Sequence, residues 1–193
     1  MSKISNRDKI LTEGLRVVHE RGFANASVRD IVQAAGVPQG SFTNHFASKE
    51  AFGLEILALY LANSRRTMAE TLCNESLSPL QRLRAYVEAY KNRAGRDGVW
   101  RGCLYGNFTA ESCEHSEPIR LKLLDIYAEV QATIAACLRA AVAAGEVRAD
   151  LDCEQVAGFI LSSVQGAILL SKADRSPAPL ERFEQILFSS ILK

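Results

Sequence analysis

The chain has 193 residues, of which 48% are hydrophobic and 7% aromatic, and its 23 Lys and Arg nearly balance its 22 Asp and Glu. This length suits one compact domain or a small domain fused to a larger one, and the apolar content is ample for a core. The net charge of +1 excludes a strongly basic, non-specific nucleic-acid binder.

The amino terminus is polar and has no apolar stretch of the kind that a signal peptide needs. We also expect no stretch long enough to span a membrane, and therefore no membrane partner. The five cysteines stand at positions 73, 103, 113, 137 and 153 without the spacing of a disulfide framework. These features predict reduced thiols in a cytoplasmic protein.

The first predicted helix covers residues 7–21, with apolar positions at helical spacing and Gly22 at its end. Residues 1–50 carry seven Lys and Arg against five Asp and Glu, a net charge of +2, whereas the remainder carries −1. A modestly positive N-terminal module on a neutral body is typical of a sequence reader with few, well-placed phosphate contacts.

Residues 27–46 read as two short helices joined by a tight turn. Ser27 and Asp30 have the spacing of a capping box, and Gly36 stands where a left-handed turn needs a residue without Cβ. Pro38 precedes the second helix, in which Phe42 and Phe46 share one face. The other face carries small and polar groups: Gln39, Gly40, Ser41, Thr43, Asn44 and His45.

This spacing predicts a helix-turn-helix whose second helix enters the DNA major groove. Small and polar side chains allow close approach to phosphates and base edges, whereas a helix meant only for packing more often exposes long charged side chains. An ordinary helical hairpin has the same spacing, so that alternative stays open at this point.

The same stretch resembles the DNA-binding domain of TetR-family transcriptional regulators. Arg21-Gly22-Phe23 and Ser27-Val28-Arg29-Asp30-Ile31 match that family upstream. The match continues at Ala34, Ala35, Gly36, Val37, Pro38, Gly40, Ser41, Phe42, His45, Phe46, Ser48, Lys49, Glu50 and Phe52. Thr43 departs from the family, which usually has a phosphate-contacting Tyr at this position.

The resemblance implies an all-α fold with a three-helix DNA-binding domain at residues 1–48. Residues 49–193 would form a helical effector-binding and dimerisation domain. It further implies that the helix from Gln39 to His45 reads double-stranded operator DNA, while Ser27, Arg29, Thr43 and Lys49 contact phosphates. Such proteins are regulators, most often repressors, and not enzymes, so we expect no cofactor.

The remaining helices follow from apolar spacing and from end signals. We predict helices over residues 49–72, from 79 onward, over 103–113, from 116–118 to 144, over 153–173 and over 180–192. Residues 95–98, Gly95-Arg96-Asp97-Gly98, are predicted to break the chain.

The two C-terminal helices are apolar over a wide arc and contain small residues that permit close helix approach. A packed monomer core gives this pattern too. The family resemblance instead implies a homodimer through a four-helix bundle, which also fits palindromic operators. The residues expected at this interface are Phe159, Ser162, Gly166, Phe183 and Leu187.

Residues 100–120 resemble a narrower, electrophile- and redox-responsive subgroup of the family, with Gly102-Cys103-Leu104 and Ala110-Glu111 as its strongest matches. The resemblance implies that Cys103 is the reactive thiol. A position near a helix N-terminus favours thiolate, but most free cysteines are buried structural thiols, and both interpretations stay open. Cys113 is the obvious second thiol, yet ten helical residues span about 15 Å, too far for a disulfide.

A non-covalent small molecule in an aromatic cavity is the alternative effector. The effector-site residues that we single out are Cys103, Tyr90, Trp100, Phe108, Cys113 and Tyr127. Cys73 and Cys137 are predicted to be core thiols. Cys113-Glu114-His115 offers too few ligands for zinc, so no metal is expected. A thiol hydrolase using Cys103 with His115, or a helical adaptor, are remote alternatives.

Overall fold

A computed structural model describes residues 4–95 and 98–193. Within these residues the regular structure is entirely helical and contains no strand, which confirms the predicted fold class. The described helices are α1 Asn6–Arg21, α2 Val28–Ala34, α3 Gly40–His45, α4 Lys49–Glu70, α5 Pro79–Lys91, α6 Leu104–Ser112, α7 Glu117–Ala143, α8 Cys153–Asp174 and α9 Ala178–Ile186. A π-helical turn, Leu187–Ile191, follows α9.

Side chains cap the helix starts that the sequence predicts. Ser5 accepts a hydrogen bond from the N–H of Asp8 at α1, and Asp152 accepts one from the N–H of Gln155 at α8. Ser78 and Gln81 form a capping box at α5, with Pro79 in the first turn. Because these caps satisfy the N–H groups that have no intrahelical partner, they fix where each helix begins.

Two segments depart from the predicted helix pattern. The single helix expected over residues 180–192 is α9 plus the π-helical turn, so the helical period changes at Leu187. Gly95 and Gly98 both have positive φ, which confirms a break after α5, while Arg96 and Asp97 lie outside the described residues.

The chain divides into two compact units. The first comprises Met1–Asn63 and Leu104–Leu124, and the second comprises Ser64–Cys103 and Asp125–Lys193. Compactness therefore groups α6 with the N-terminal helices. The domain boundary after residue 48 follows the family motif instead, and it stays a prediction.

In the first unit, α1 packs against α2 and α3 around buried rings. The rings of Phe42, Phe46 and Phe52 form a cluster with centroids 5.1 to 5.2 Å apart. Gly14 of α1 lets the Phe52 ring approach, since a Cβ there would lie 2.5 Å from the end of that ring. The buried rings thus hold α3 by one face against α1 and α4.

The second unit has its own core, built from α5, the later part of α7, α8 and α9. Leu83, Val87, Ile134, Leu138 and Ile160 are among its fully buried side chains. Lys91 of α5 donates a hydrogen bond to Glu184 of α9 at 2.7 Å, which joins these helices at their surface.

Two helices, Glu117–Ala143 and Cys153–Asp174, are long and apolar enough to cross a bilayer by length and composition alone. The expectation that no stretch reaches this length was therefore wrong. Core helices of soluble proteins pass the same test, so the observation is weak evidence for a membrane.

Candidate nucleic-acid interface

Helix α2 begins at a complete capping box. The Ser27 Oγ accepts the Asp30 N–H at 3.1 Å, and an Asp30 carboxylate oxygen accepts the Ser27 N–H at 3.0 Å and the Ser27 hydroxyl proton. These hydrogen bonds from Ser27, followed by the charge of Arg21 at 2.9 Å, hold the pKa of Asp30 below its ordinary value. The predicted capping box is confirmed.

The turn between α2 and α3 depends on one glycine. Gly36 has φ +63, a left-handed conformation that favours a residue without Cβ, and its N–H reaches the carbonyl of Gln33 at 3.1 Å. The next N–H, from Val37, reaches the carbonyl of Val32 at 3.1 Å. Together these bonds close α2 as a C-terminal cap, after which Pro38 leads into α3.

Helix α3 has a buried face, here called its locked face, and a solvent-exposed face, here called its open face. Phe42 and Phe46 are each 3% exposed and belong to the aromatic cluster, whereas five neighbouring residues are exposed to solvent. These five are Gln39, Gly40, Thr43, Asn44 and His45. The predicted exposure of Ser41 was wrong: it is 9% exposed and lies on the same buried side as Phe42.

The open face carries groups that suit the edges of base pairs. Amide side chains such as those of Gln39 and Asn44 can pair with adenine through one donor and one acceptor. Gly40 adds no bulk, which leaves backbone close to the surface. Because Phe42 and Phe46 hold α3 from the opposite side, this face stays exposed to solvent.

The residues predicted to contact phosphates differ in whether their donor groups already make hydrogen bonds within the protein. Arg29 is exposed, whereas the Ser27 hydroxyl already donates to Asp30, and the Thr43 hydroxyl donates to the Gly40 carbonyl at 3.1 Å. The Lys49 ammonium donates to the Ala24 carbonyl at 3.1 Å and lies 4.9 Å from the Phe23 ring centroid. Burial lowers the pKa of Lys49, and the charge of Glu111 opposes that shift.

Sequence reasoning missed the contacts between α6 and the loop that precedes α2. Glu111 accepts the N–H of Ala24 at 2.8 Å across a separation of 87 residues. No helical or turn pattern reports such a long-range contact. The only available signal was the presence of Glu111 in the subgroup-like stretch.

The six effector-site residues predicted from the sequence do not fall in one unit. Phe108 and Cys113 belong to the first unit, whereas Tyr90, Trp100, Cys103 and Tyr127 belong to the second. Phe108 is completely buried and stacks on Phe23 with centroids 4.7 Å apart, so it is a core residue of the first unit. Its predicted role as a cavity lining residue is not supported by this packing.

The cysteines have contrasting surroundings. All five lie in the described part of the chain, and none forms a disulfide. Cys103 is 7% exposed and directly precedes α6, as predicted. Burial raises the pKa of Cys137 to about 11, and its thiol donates to the Pro79 carbonyl at 3.3 Å, which fits a core thiol. Cys73 is exposed, so its predicted core position was wrong.

A tyrosine pair lies near Cys103 in the second unit. The hydroxyls of Tyr86 and Tyr90 are 3.0 Å apart, and their rings meet edge to face. Burial, with a smaller effect from the charge of Cys103, raises the pKa of Tyr86 to about 12. Tyr86 therefore stays neutral and able to donate a hydrogen bond at physiological pH.

The C-terminal helices expose an apolar face in the second unit. Phe159 and Leu170 of α8 and Ile186 of α9 are 45%, 53% and 47% exposed. They border a groove of about 360 Å³ between α8 and α9, together with Gly166 and Phe183. Ser162 is exposed as well, whereas Leu187 lines the same groove but is only 1% exposed and also packs in the core.

A metal site and a thiol–base pair are the remaining candidate sites in the chain. Within residues 4–95 and 98–193, no three His, Cys, Asp or Glu side chains come together as a possible metal site. The nine residues of α6 separate Cys103 from the segment containing His115, a rise of about 13 Å.

An all-helical chain with an N-terminal helix-turn-helix, an exposed polar face on the second helix of that motif and a further helical unit has the architecture of bacterial transcription regulators. Residues 10–56 match the model of "Bacterial regulatory proteins, tetR family", and residues 79–187 match "Tetracyclin repressor-like, C-terminal domain". The chain belongs to the TetR family and is a DNA-binding transcriptional regulator.

Its relatives include repressors that match over most of their length. The transcriptional repressor DhaR of Mycobacterium sp. (strain GP1) is 37% identical over 100% of this chain and 95% of its own. The regulator AcuR of Cereibacter sphaeroides is 33% identical over 90% and 80%. The Escherichia coli repressor NemR is 32% identical over 59% and 57%.

Solved structures show the same fold. The regulatory protein TetR from Rhodobacter sphaeroides superposes with a TM-score of 0.88 at 32% identity, over 93% of this chain and 95% of that one. The reduced form of Escherichia coli NemR gives a TM-score of 0.85 at 28% identity, over 92% of each chain. These comparisons point to regulators and not to enzymes.

Proposed function

We propose that the protein is a cytoplasmic, dimeric repressor that binds a palindromic operator through α3. The observation that carries this proposal is the division of α3 into a face locked by Phe42 and Phe46 and an open polar face from Gln39 to His45. A rigidly held reading surface is what major-groove recognition requires, because base contacts demand fixed geometry.

Arg29 is the best-placed phosphate contact, since its exposed guanidinium needs no rearrangement. Ser27 and Thr43 would have to exchange an internal hydrogen bond for a phosphate, and Lys49 would have to leave the Ala24 carbonyl. The phosphate role is therefore strongest for Arg29 and weakest for Lys49.

The exposed apolar face of α8 and α9 supports the dimer. Apolar side chains that are about half exposed and grouped around a groove are typical of surfaces that associate. A two-fold axis through this face would present two copies of α3 to successive half-sites about one helical turn apart.

An effector would release the operator by favouring a different arrangement of the two reading helices. The resemblance of residues 100–120 to the electrophile- and redox-responsive subgroup favours thiol chemistry at Cys103. The 7% exposure of Cys103 and the buried, neutral Tyr86 near it suit a non-covalent ligand equally well, so both effector types belong to the proposal.

Selection from a random duplex library tests operator binding without knowledge of the genome. The proposal expects the purified protein to enrich one palindromic sequence and to protect both half-sites in footprinting. Enrichment of no sequence, or of single asymmetric half-sites bound by a monomer, would contradict it.

A gel shift on the selected duplex, with and without N-ethylmaleimide, tests the thiol. Release of wild type combined with retention of Cys103→Ser supports covalent sensing at Cys103. Equal release of both proteins removes Cys103 from the mechanism. Cys73→Ser is the matched control, because Cys73 is exposed and is the more accessible thiol.

A further inference from the structure

One face of α6 is directed at the helix-turn-helix module within the first unit. Tyr105, Phe108 and Glu111 stand at successive intervals of three residues and therefore on one side of the helix. Tyr105 meets the Tyr60 ring of α4 at 4.9 Å, and Phe108 stacks on Phe23 at 4.7 Å. Glu111 completes this row with a hydrogen bond to the backbone of Ala24.

The segment that Glu111 contacts is the loop between α1 and α2. Both backbone polar groups of Ala24 are bound by side chains: the N–H by Glu111 at 2.8 Å, and the carbonyl by Lys49 at 3.1 Å. The carboxylate fits because Gly22 has no side chain, since a Cβ there would lie 2.6 Å from a Glu111 oxygen. The loop is thus clamped from α6 on one side and from α4 on the other.

This loop fixes the start of α2. Ala26 is completely buried, and its N–H reaches the Gly22 carbonyl at 3.1 Å, directly before the Ser27 cap. Since α2 packs against α3, the position of the loop sets the position of the reading helix. The hydrogen bond from the Ala24 N–H to the Glu111 carboxylate holds this loop strongly, because hydrogen bonds to a charged acceptor are stronger than those between neutral groups.

We propose that Glu111 is a positioning residue for operator binding, which acts by holding the α1–α2 loop through the Ala24 N–H. The inference rests on the proposed operator binding.

Electrostatics and positioning predict opposite effects of removing Glu111. Loss of a negative charge near DNA strengthens binding, because DNA repels carboxylates at long range. Loss of the loop contact weakens binding. Weaker operator binding by Glu111→Ala therefore supports the positioning role, because removal of the charge alone would strengthen binding.

The experiment uses the full-length protein and the duplex that wild type selects, with affinity measured by fluorescence anisotropy. We expect roughly tenfold weaker binding by Glu111→Ala, the scale of a hydrogen bond to a charged group. Glu111→Gln should recover most of the affinity, since its amide oxygen still accepts from Ala24. The control Glu114→Ala removes an equal charge from an exposed position just beyond α6 and should bind at least as tightly as wild type.

Hydrogen exchange of the Ala24 amide is the second measurement and needs no DNA. Exchange should be roughly tenfold faster in Glu111→Ala and unchanged in Glu114→Ala. If Glu111→Ala does not fold, Glu111→Asp serves in both assays, because it keeps the charge but withdraws the carboxylate by one methylene. Weaker binding with faster Ala24 exchange is the expected result for Glu111→Asp too.

The outcomes separate the two levels of inference. Wild-type affinity and unchanged Ala24 exchange in the folded Glu111 variant overturn the positioning role while leaving operator binding intact. Weaker binding by Glu111→Gln equal to that by Glu111→Ala also overturns it, since the acceptor is then irrelevant. Failure of wild type to select any sequence overturns the proposed function, and the positioning role with it.

Discussion

At the scale of single residues, Ser27 combines a structural role with a predicted DNA contact. It caps α2 and is also predicted to contact a phosphate, although its hydroxyl proton is already donated to Asp30. Ser27 caps α2 without any contribution from DNA. We therefore expect substitutions at this position to act first on folding and only second on affinity.

Ser27→Ala should lower the free energy of unfolding by about 1 kcal/mol, because the Asp30 N–H loses its acceptor at the first turn of α2. Urea denaturation followed by circular dichroism measures the change. Ser189→Ala, at an exposed position that caps no α-helix, is the control and should have no measurable effect. Equal stability of the two variants would show that the cap is dispensable.

Asp30 makes the stability of the module pH-dependent. Its pKa is lowered in the folded state, chiefly by hydrogen bonds from Ser27, so the carboxylate stabilises the fold at pH values above the unfolded pKa of about 3.9. That stabilisation disappears as the pH falls through the lower, folded pKa.

Asp30→Asn should therefore be less stable than wild type at pH 7, and the difference should shrink at pH 3. Urea denaturation at both pH values measures this convergence, and an NMR titration of the Asp30 carboxyl reports the lowered pKa directly. A difference in stability that stays constant between the two pH values would show that the charge of Asp30 makes no contribution.

At the scale of helices, the sequence predicted the starts of α2, α5 and α8 well because capping is local. Ser27, Ser78 and Asp152 each bond to a residue three positions away, so their effect is visible in a short window. Features that depend on distant parts of the chain were not visible. Glu111 and Ala24 are an example, since folding alone brings them together.

The burial of two predicted site residues, Ser41 and Leu187, has physical causes. Ser41 adjoins Phe42 on a six-residue helix, where the border between buried and open faces cannot be drawn from spacing alone. Leu187 lies in a wide apolar arc that serves both a core and an exposed face. The π-helical turn that begins there changes the rotation per residue, so extrapolation at 3.6 residues per turn fails.

The two faces of α3 should respond differently to mutation. Asn44→Ala removes an exposed amide and should weaken operator binding by about 1–3 kcal/mol, the value of one base contact, with unchanged stability. Phe42→Ala should instead cost about 3–5 kcal/mol of folding free energy, because it empties the aromatic cluster.

Anisotropy on the selected duplex and urea denaturation separate these effects. Gln155→Ala, an exposed amide on α8 in the second unit, is the control for Asn44→Ala and should leave affinity unchanged. If Asn44→Ala binds with wild-type affinity while variants at other exposed positions of α3 bind more weakly, the base contact belongs to those positions and not to Asn44. Wild-type affinity in every exposed variant would rule out α3 as the reading helix.

At the scale of the whole molecule, dimerisation determines whether two reading helices act together. Phe159 and Ile186 are 45% and 47% exposed and border the groove between α8 and α9. If this face forms the two-fold interface, the double variant Phe159→Glu/Ile186→Glu places four carboxylates around one axis. Like charges at an interface cost several kcal/mol, which is enough to separate the subunits.

We expect this double variant to be monomeric by light scattering, with unchanged helix content and lost affinity for the palindrome. The matched control is Leu121→Glu/Leu124→Glu, because these α7 side chains are 48% and 51% exposed but belong to the first unit. That control adds the same charge to equally exposed apolar positions and should stay dimeric. Since a monomer retains α3, it should still bind a single half-site weakly. The lost affinity for the palindrome would then result from separation of the two subunits. A monomeric control beside a dimeric Phe159 variant would assign the interface to α7 instead.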